Sequence, residues 1–153
     1  MTKTLFRTTI AILAASVATT AMAQVSPEDQ IKFRQAGYSF MSWNMGKIKA
    51  NLDRDYNHDQ VVGAANAIAA IANSGMGALY GPGTERDVGN VRTFVKPEFF
   101  QNMEDVGTLA RNFNAAANNL AAVAANGDQR AVSQAFGDVG AACKACHDKY
   151  RAD

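Results

Sequence analysis

Two cysteines and a histidine stand in one run, Cys143-Lys144-Ala145-Cys146-His147, and the run holds both cysteines and one of the two histidines of the chain. Cys-x-x-Cys-His is the attachment pattern of a covalent c-type haem. The thiols add to the porphyrin vinyl groups as thioethers, and the histidine ligates the iron from one face. The spacing suits a helix, where residues i and i+3 share a face. Cys143 and Cys146 then reach one edge of the macrocycle, and His147 projects beneath it. Three other readings compete. A thioredoxin-like redox pair wants a neighbouring βαβ pattern, which is absent from the sequence. A structural zinc site needs four ligands and would have to recruit distant His58. A structural disulfide leaves His147 without a role.

The opening residues point to export. Lys3 and Arg7 form a basic start, Thr8 to Val17 is apolar and uncharged, and Ala21-Met22-Ala23 offers an A-x-A cleavage site. The apolar stretch is short for a membrane span, so stable membrane insertion is not expected. Residues 1–23 read as a removed secretory signal, with one mature domain of 130 residues at 24–153 and a periplasmic location. The full chain has 15 Lys+Arg and 14 Asp+Glu; removing Lys3 and Arg7 leaves 13 against 14, a net charge of −1. A near-neutral domain argues against a nucleic-acid binder, which normally carries a basic patch or a high pI.

Something must hold the run in place, and the apolar spacing predicts helices throughout. Ser26-Pro27-Glu28-Asp29 is a strong helix start, with a capping hydroxyl, proline in the first turn and acids at the positive dipole end. The spacing predicts a first helix to about Asn51. Ile31, Arg34, Tyr38, Met41, Met45 and Ile48 form one stripe, and Phe33, Ala36, Phe40 and Trp43 a second. A helix with two apolar faces has more to bury than one core contact uses. A second helix is expected over roughly 59–73, with Val61, Ala65, Ile68 and Ala72 inward. Glycines and Pro82 make 74–96 a long loop. Pro97 opens a third helix running to about Ala125, and Asp128 caps a fourth whose inner face carries Val132, Ala135, Phe136, Val139, Cys143, Cys146 and Tyr150. The expected fold is all-α, an antiparallel four-helix bundle with a covalently bound haem in its core near the last helix. The many alanines allow close helix approach and leave room for a flat group.

Function turns on the sixth ligand. Methionine opposite histidine favours electron transfer, and an open position admits a small ligand. Residues 148–153 hold neither Met nor His, so a distal ligand would come from elsewhere. His58 reads as a surface residue, and Met76 and Met103 as packing. Met41 and Met45 share a face with Tyr38, and by spacing alone a methionine ligand stays open.

The chain resembles cytochrome c′, the class II c-type cytochromes, over essentially the whole mature length. The likeness rests on Pro27-Glu28-Asp29, Phe33-Arg34-Gln35, Tyr80-Gly81-Pro82-Gly83-Thr84-Glu85, and Phe136-Gly137-Asp138-Val139-Gly140 running into the Cys143–His147 motif and Asp148. The resemblance implies one haem c with five-coordinate, largely high-spin iron and His147 as its only protein ligand. It implies that Arg34 and Gln35 contact the haem and its propionates, that Tyr38 blocks the distal face, and that Met41 packs. Arg151 matches a proximal arginine beside the ligating histidine, and Thr84, Glu85 and Asp87 fall in the loop approaching the haem edge. Gly77 stands where some relatives carry a tryptophan. The implied function is binding of nitric oxide, and less readily carbon monoxide, in nitric oxide buffering or tolerance, with one-electron transfer to an unidentified redox partner. Peroxidase chemistry wants a distal acid–base pair that this chain does not offer, so the chain is not expected to be an enzyme. The rival is a low-spin His/Met electron carrier using Met41. The two-faced first helix predicts a homodimer through the first two helices, with Phe33, Phe40 and Trp43 as contacts.

Overall fold

The computed structural model describes residues 25–152. The expected signal segment, 1–23, and the domain's first residue lie outside them.

Helix α1 spans Pro27–Asp53 and α2 spans His58–Ala72. A single turn α3, Glu98–Gln101, precedes α4, Met103–Ala125, and α5, Gln129–Tyr150. The starts follow the expected capping chemistry. Ser26 Oγ accepts from the Asp29 amide at 3.1 Å, Asn57 Oδ1 from Gln60 at 3.0 Å, and Asp128 Oδ1 from Arg130 and Ala131. Each cap supplies an acceptor to an amide that has no partner inside its own helix.

α1 packs chiefly on α2, α2 on α4, and α4 on α5, while α1 and α5 meet at few points. The result is the expected antiparallel four-helix bundle. Its main core is aliphatic and dense. Ile48, Val61, Ala64, Ala65, Ile68, Ala117, Leu120, Ala124, Val132 and Val139 are fully enclosed. Each large side chain buried this way is worth about 1.5–3 kcal/mol, and the interleaved alanines let the helices approach. A second cluster, Phe99, Val106 and Tyr150 with Tyr80, Val95, Phe100, Leu109 and Cys146 against it, closes the other end.

One expectation is corrected here. The third helix does not run unbroken from Pro97; it breaks at Asn102, whose φ of −121° and ψ of 45° are not helical. The Asn102 side chain donates to the Glu98 carbonyl at 2.8 Å, an internal competitor for a helical bond. The break turns Phe99 inward onto Tyr80 and Tyr150. Met103, expected to pack, is 55% exposed at the start of α4.

The loop at 74–96 is more ordered than its glycines suggest. A 3₁₀ turn, Met76–Leu79, lies on α1, where Gly37 makes room. A Cβ at Gly37 would meet the Met76 Cε at 2.9 Å and Sδ at 3.2 Å. Farther on, Val88 and Val91 form an isolated bridge, and Val95 pairs with Arg151 in another. Phe94 reaches this pairing through a φ of +53°, an uncommon conformation for a bulky residue.

Candidate functional site

Cys143 and Cys146 lie one turn apart on α5, both half-buried and both free thiols. Cys143 packs on the aliphatic core and Cys146 on the aromatic cluster, so the pair straddles the boundary between the two. Burial pushes both thiols up, with Cys146 adding to the rise at Cys143 and Asp105 to that at Cys146. Burial thus makes both thiols less acidic, unlike an activated redox pair, whose acidity is enhanced. His147 follows on the solvent side, its imidazole pushed down by burial and by the neighbouring Arg151 cation. A neutral imidazole is the form that ligates a metal. Beside it opens a cleft of about 480 Å³ lined by Phe94, Lys96, His147, Asp148, Arg151 and Ala152.

The zinc reading does not survive the fold. Among the described residues no three His, Cys, Asp or Glu side chains are grouped to hold a metal. His58 bonds through Nε2 to the Ala124 carbonyl, next to the start of α5. Cys143 is fourteen residues along that helix, roughly 20 Å away at about 1.5 Å per residue.

Facing the thiols across the bundle is α1. Its Arg34 is 1% exposed, and its guanidinium donates to the Leu79 and Thr84 carbonyls and to Thr93 Oγ1. All three acceptors are neutral, and burial lowers the Arg34 pKa. An enclosed cation without an anion is costly unless its donors are all used. Gln35 donates to the Arg92 carbonyl. Thr84 is fully buried and its hydroxyl donates to the Gly81 carbonyl, and Asp87 accepts from the Thr93 amide. Arg34, Gln35, Thr84 and Asp87 thus join as a clamp between α1 and the loop. Glu85 stands apart and exposed, its carboxylate held below the usual range by its own amide and accepting from Gly83. Arg151 is fixed by its bridge to Val95 and stands beside His147.

Tyr38 occupies the middle of this face. It is 42% exposed on the helix that meets α5 at few points, and its hydroxyl accepts from Tyr80 at 3.1 Å. The Tyr38 pKa is raised by burial of the hydroxyl, with the Cys146 and Cys143 sulfurs near enough to add to the rise. Met41, one turn on, is packed into the aliphatic core. Two residues of the site were not singled out from sequence. Tyr80 was legible only as an aromatic before a Gly-Pro-Gly turn. Asp105 accepts from Tyr150 at 2.7 Å and Lys149 at 3.0 Å behind Cys146, and nothing in its local sequence marked it.

A flat apolar group with acidic substituents fits these residues. Two thiols point from one helix face, α1 and α5 scarcely touch, Tyr38 is left partly exposed, and a buried guanidinium has only neutral partners. A helical bundle bearing such a thiol pair and an adjacent imidazole is a c-type haem protein of the bundle class. The chain belongs to the cytochrome c′ family: the profile of Cytochrome C′ matches residues 29–151. It is 65% identical over 153 residues to the cytochrome c′ of Allochromatium vinosum, covering 99% of each chain. A solved cytochrome c′ described as having ligand-controlled dimer dissociation superposes with a TM-score of 0.85 at 72% identity, covering 86% of this chain and all of that one. A carbon-monoxide-bound variant of the Alcaligenes xylosoxidans protein superposes at 0.73 and 30% identity, over 84% and 98% of the two chains. Another variant of that protein is solved in ferrous form with nitric oxide bound.

Proposed function

We propose that this chain is a periplasmic haem c protein whose iron has His147 as its only protein ligand and whose other face takes nitric oxide or carbon monoxide under Tyr38. One-electron transfer to a separate redox partner is its second activity. The haem supplies an iron that cycles between ferric and ferrous and, when ferrous, binds diatomic gases. Cys143 and Cys146 would hold it covalently, Arg34 and Gln35 would meet its acidic substituents, and Arg151 would flank His147. Thr84, Glu85 and Asp87 order the loop at its edge.

The observation that carries this reading is the pairing of Tyr38 with Met41. Tyr38 is partly exposed, while Met41 is enclosed by the aliphatic core and would have to leave it to reach an iron. A side chain that covers without ligating leaves a position that opens when it moves. The complexes of two variants of the related Alcaligenes xylosoxidans protein, one with carbon monoxide and one with nitric oxide, support the same ligands here. The reading is of binding rather than turnover. Burial raises both Tyr38 and Tyr80, so their hydroxyls stay protonated and do not act as bases near neutral pH.

The same proposal includes a homodimer. Phe33, Phe40 and Trp43 stand exposed on α1, with Phe40 and Trp43 stacked at 5.4 Å and Lys47 over the Trp43 ring. Such a row on one face is apolar surface suited to a second copy. Sedimentation at micromolar concentration is expected to show a dimer, and a monomer throughout would remove it.

The test of the ligand site is the absorption spectrum of the ferrous protein before and after nitric oxide. A high-spin spectrum that shifts on addition is expected. A sharp low-spin spectrum indifferent to the gas would overturn the reading and make Met41 the sixth ligand, as in an electron carrier.

A further inference from the structure

Tyr80 is held by a cation and by aromatic rings. The Arg34 guanidinium lies over one side of its ring at 4.4 Å from the centroid, and Phe99 stacks at 4.5 Å. Phe100 and Tyr150 close the rest of the aromatic cluster. Arg34 is itself tied to Leu79 and Thr84, the residues on either side of the Tyr80 turn, and to Thr93. The ring therefore has one orientation, and its hydroxyl points at the Tyr38 hydroxyl, 3.1 Å away. Tyr38 has no such clamp: no aromatic stack or cation is placed on its ring among the described residues, and 42% of it is exposed.

We infer that Tyr80 is a positioning residue that latches Tyr38 over the ligand face through their hydroxyl–hydroxyl bond, so that this bond sets how often the gate opens. The inference rests on the proposed vacant ligand position and goes beyond it, because it assigns the control of entry to a loop residue rather than to Tyr38 alone. If Tyr38 must swing away before a gas enters, the bond exists in the closed state and is already broken in the ligated one. Removing it then raises the open population and the association rate while leaving dissociation alone. A neutral hydrogen bond of ordinary net strength corresponds to about a three- to tenfold change in that population.

The experiment compares carbon monoxide association and dissociation for the ferrous wild-type holoprotein, Tyr80→Phe, Tyr38→Phe and the double variant, by flash photolysis and by ligand displacement. Tyr80→Phe keeps the ring and its stacking and removes only the oxygen; a thermal midpoint close to wild type verifies folding. About three- to tenfold faster association, unchanged dissociation, and no added effect of Tyr80→Phe in the Tyr38→Phe background are expected. Unchanged association in Tyr80→Phe, a matching change in dissociation, or additive effects in the double variant would each overturn the latch while leaving the ligand site standing. Failure of the wild type and every variant to bind carbon monoxide would instead overturn the ligand site itself, and the latch with it.

Discussion

The two ends of the bundle are built on different principles. Around Ile48, Val61, Leu120 and Val132 the helices close on branched aliphatics and alanines with no solvent exposure, and the connections are short. At the other end the enclosed residues are Arg34, Thr84, Thr93, Phe99 and Tyr150, joined by hydrogen bonds and ring contacts across a long loop. The first end gains its stability from area removed from water, which is non-directional and tolerates no gap. The second relies on directional bonds, which hold walls apart and let a flat group lie between them. A helix bundle thus keeps a stable frame and an adaptable site in one short chain by assigning them to opposite ends.

The contrast can be broken most completely at the thiols. Exchanging both Cys143 and Cys146 for alanine is expected to abolish haem that survives denaturing electrophoresis, as read by in-gel haem staining. The aliphatic end should keep its helical circular dichroism, and loss of all helicity would show that the two ends are one cooperative unit. Next in size, Leu120→Ala should lower the unfolding free energy by about 2–5 kcal/mol in urea melts, because the site collapses only partly around the deletion. Carbon monoxide association should stay as in wild type, which would sharpen the division. Arg34→Met is expected to cost about 2 kcal/mol, since it leaves the Leu79 and Thr84 carbonyls and the Thr93 hydroxyl short of a donor. Unlike Leu120→Ala, it should also make loop 76–93 more sensitive to limited proteolysis.

The smallest effect is expected at Asp105. Its carboxyl is held below the usual range by hydrogen bonds from Tyr150 and Lys149, and the same contact pushes Tyr150 up to about 12. A carboxylate with a depressed folded pKa stabilises the fold above its unfolded value near 3.9, and the gain is lost as pH falls through the folded value. Asp105→Asn should therefore lower the thermal midpoint slightly at neutrality and converge with wild type as pH falls below about 4, measured as a flatter thermal midpoint against pH.

Much of the frame was readable from residue order because aliphatic stripes and caps are local signals. Val61, Ala65, Ile68 and Ala72 line the inner face of α2 as their spacing required, and Ser26 and Asp128 cap where they stand. The thiol pair was readable because one short run carries the whole motif. The clamp was not. Arg34 in an apolar stripe signals a buried cation in need of acceptors, yet those acceptors lie 45 to 59 residues away in a loop without periodicity. The break at Asn102 was missed because a helical stripe runs through it from Phe99 to Val106, and only the side chain's bond to Glu98 interrupts the backbone. Tyr80 is defined entirely by what packs on its two faces, which no neighbour in sequence announces.

The pairing of Val95 with Arg151 has its own consequence. Lys96 donates to the Tyr150 carbonyl at 2.9 Å and Ala152 donates to that of Phe94 at 3.0 Å, so a two-residue ribbon is hooked onto the final turn of α5. Helix ends ordinarily fray, opening and closing far more often than helix middles. Here the turn that begins at His147 is stapled from outside, and its amides should exchange with deuterium on the schedule of the interior. The backbone that carries the imidazole is thereby held at a helix end that would otherwise fray.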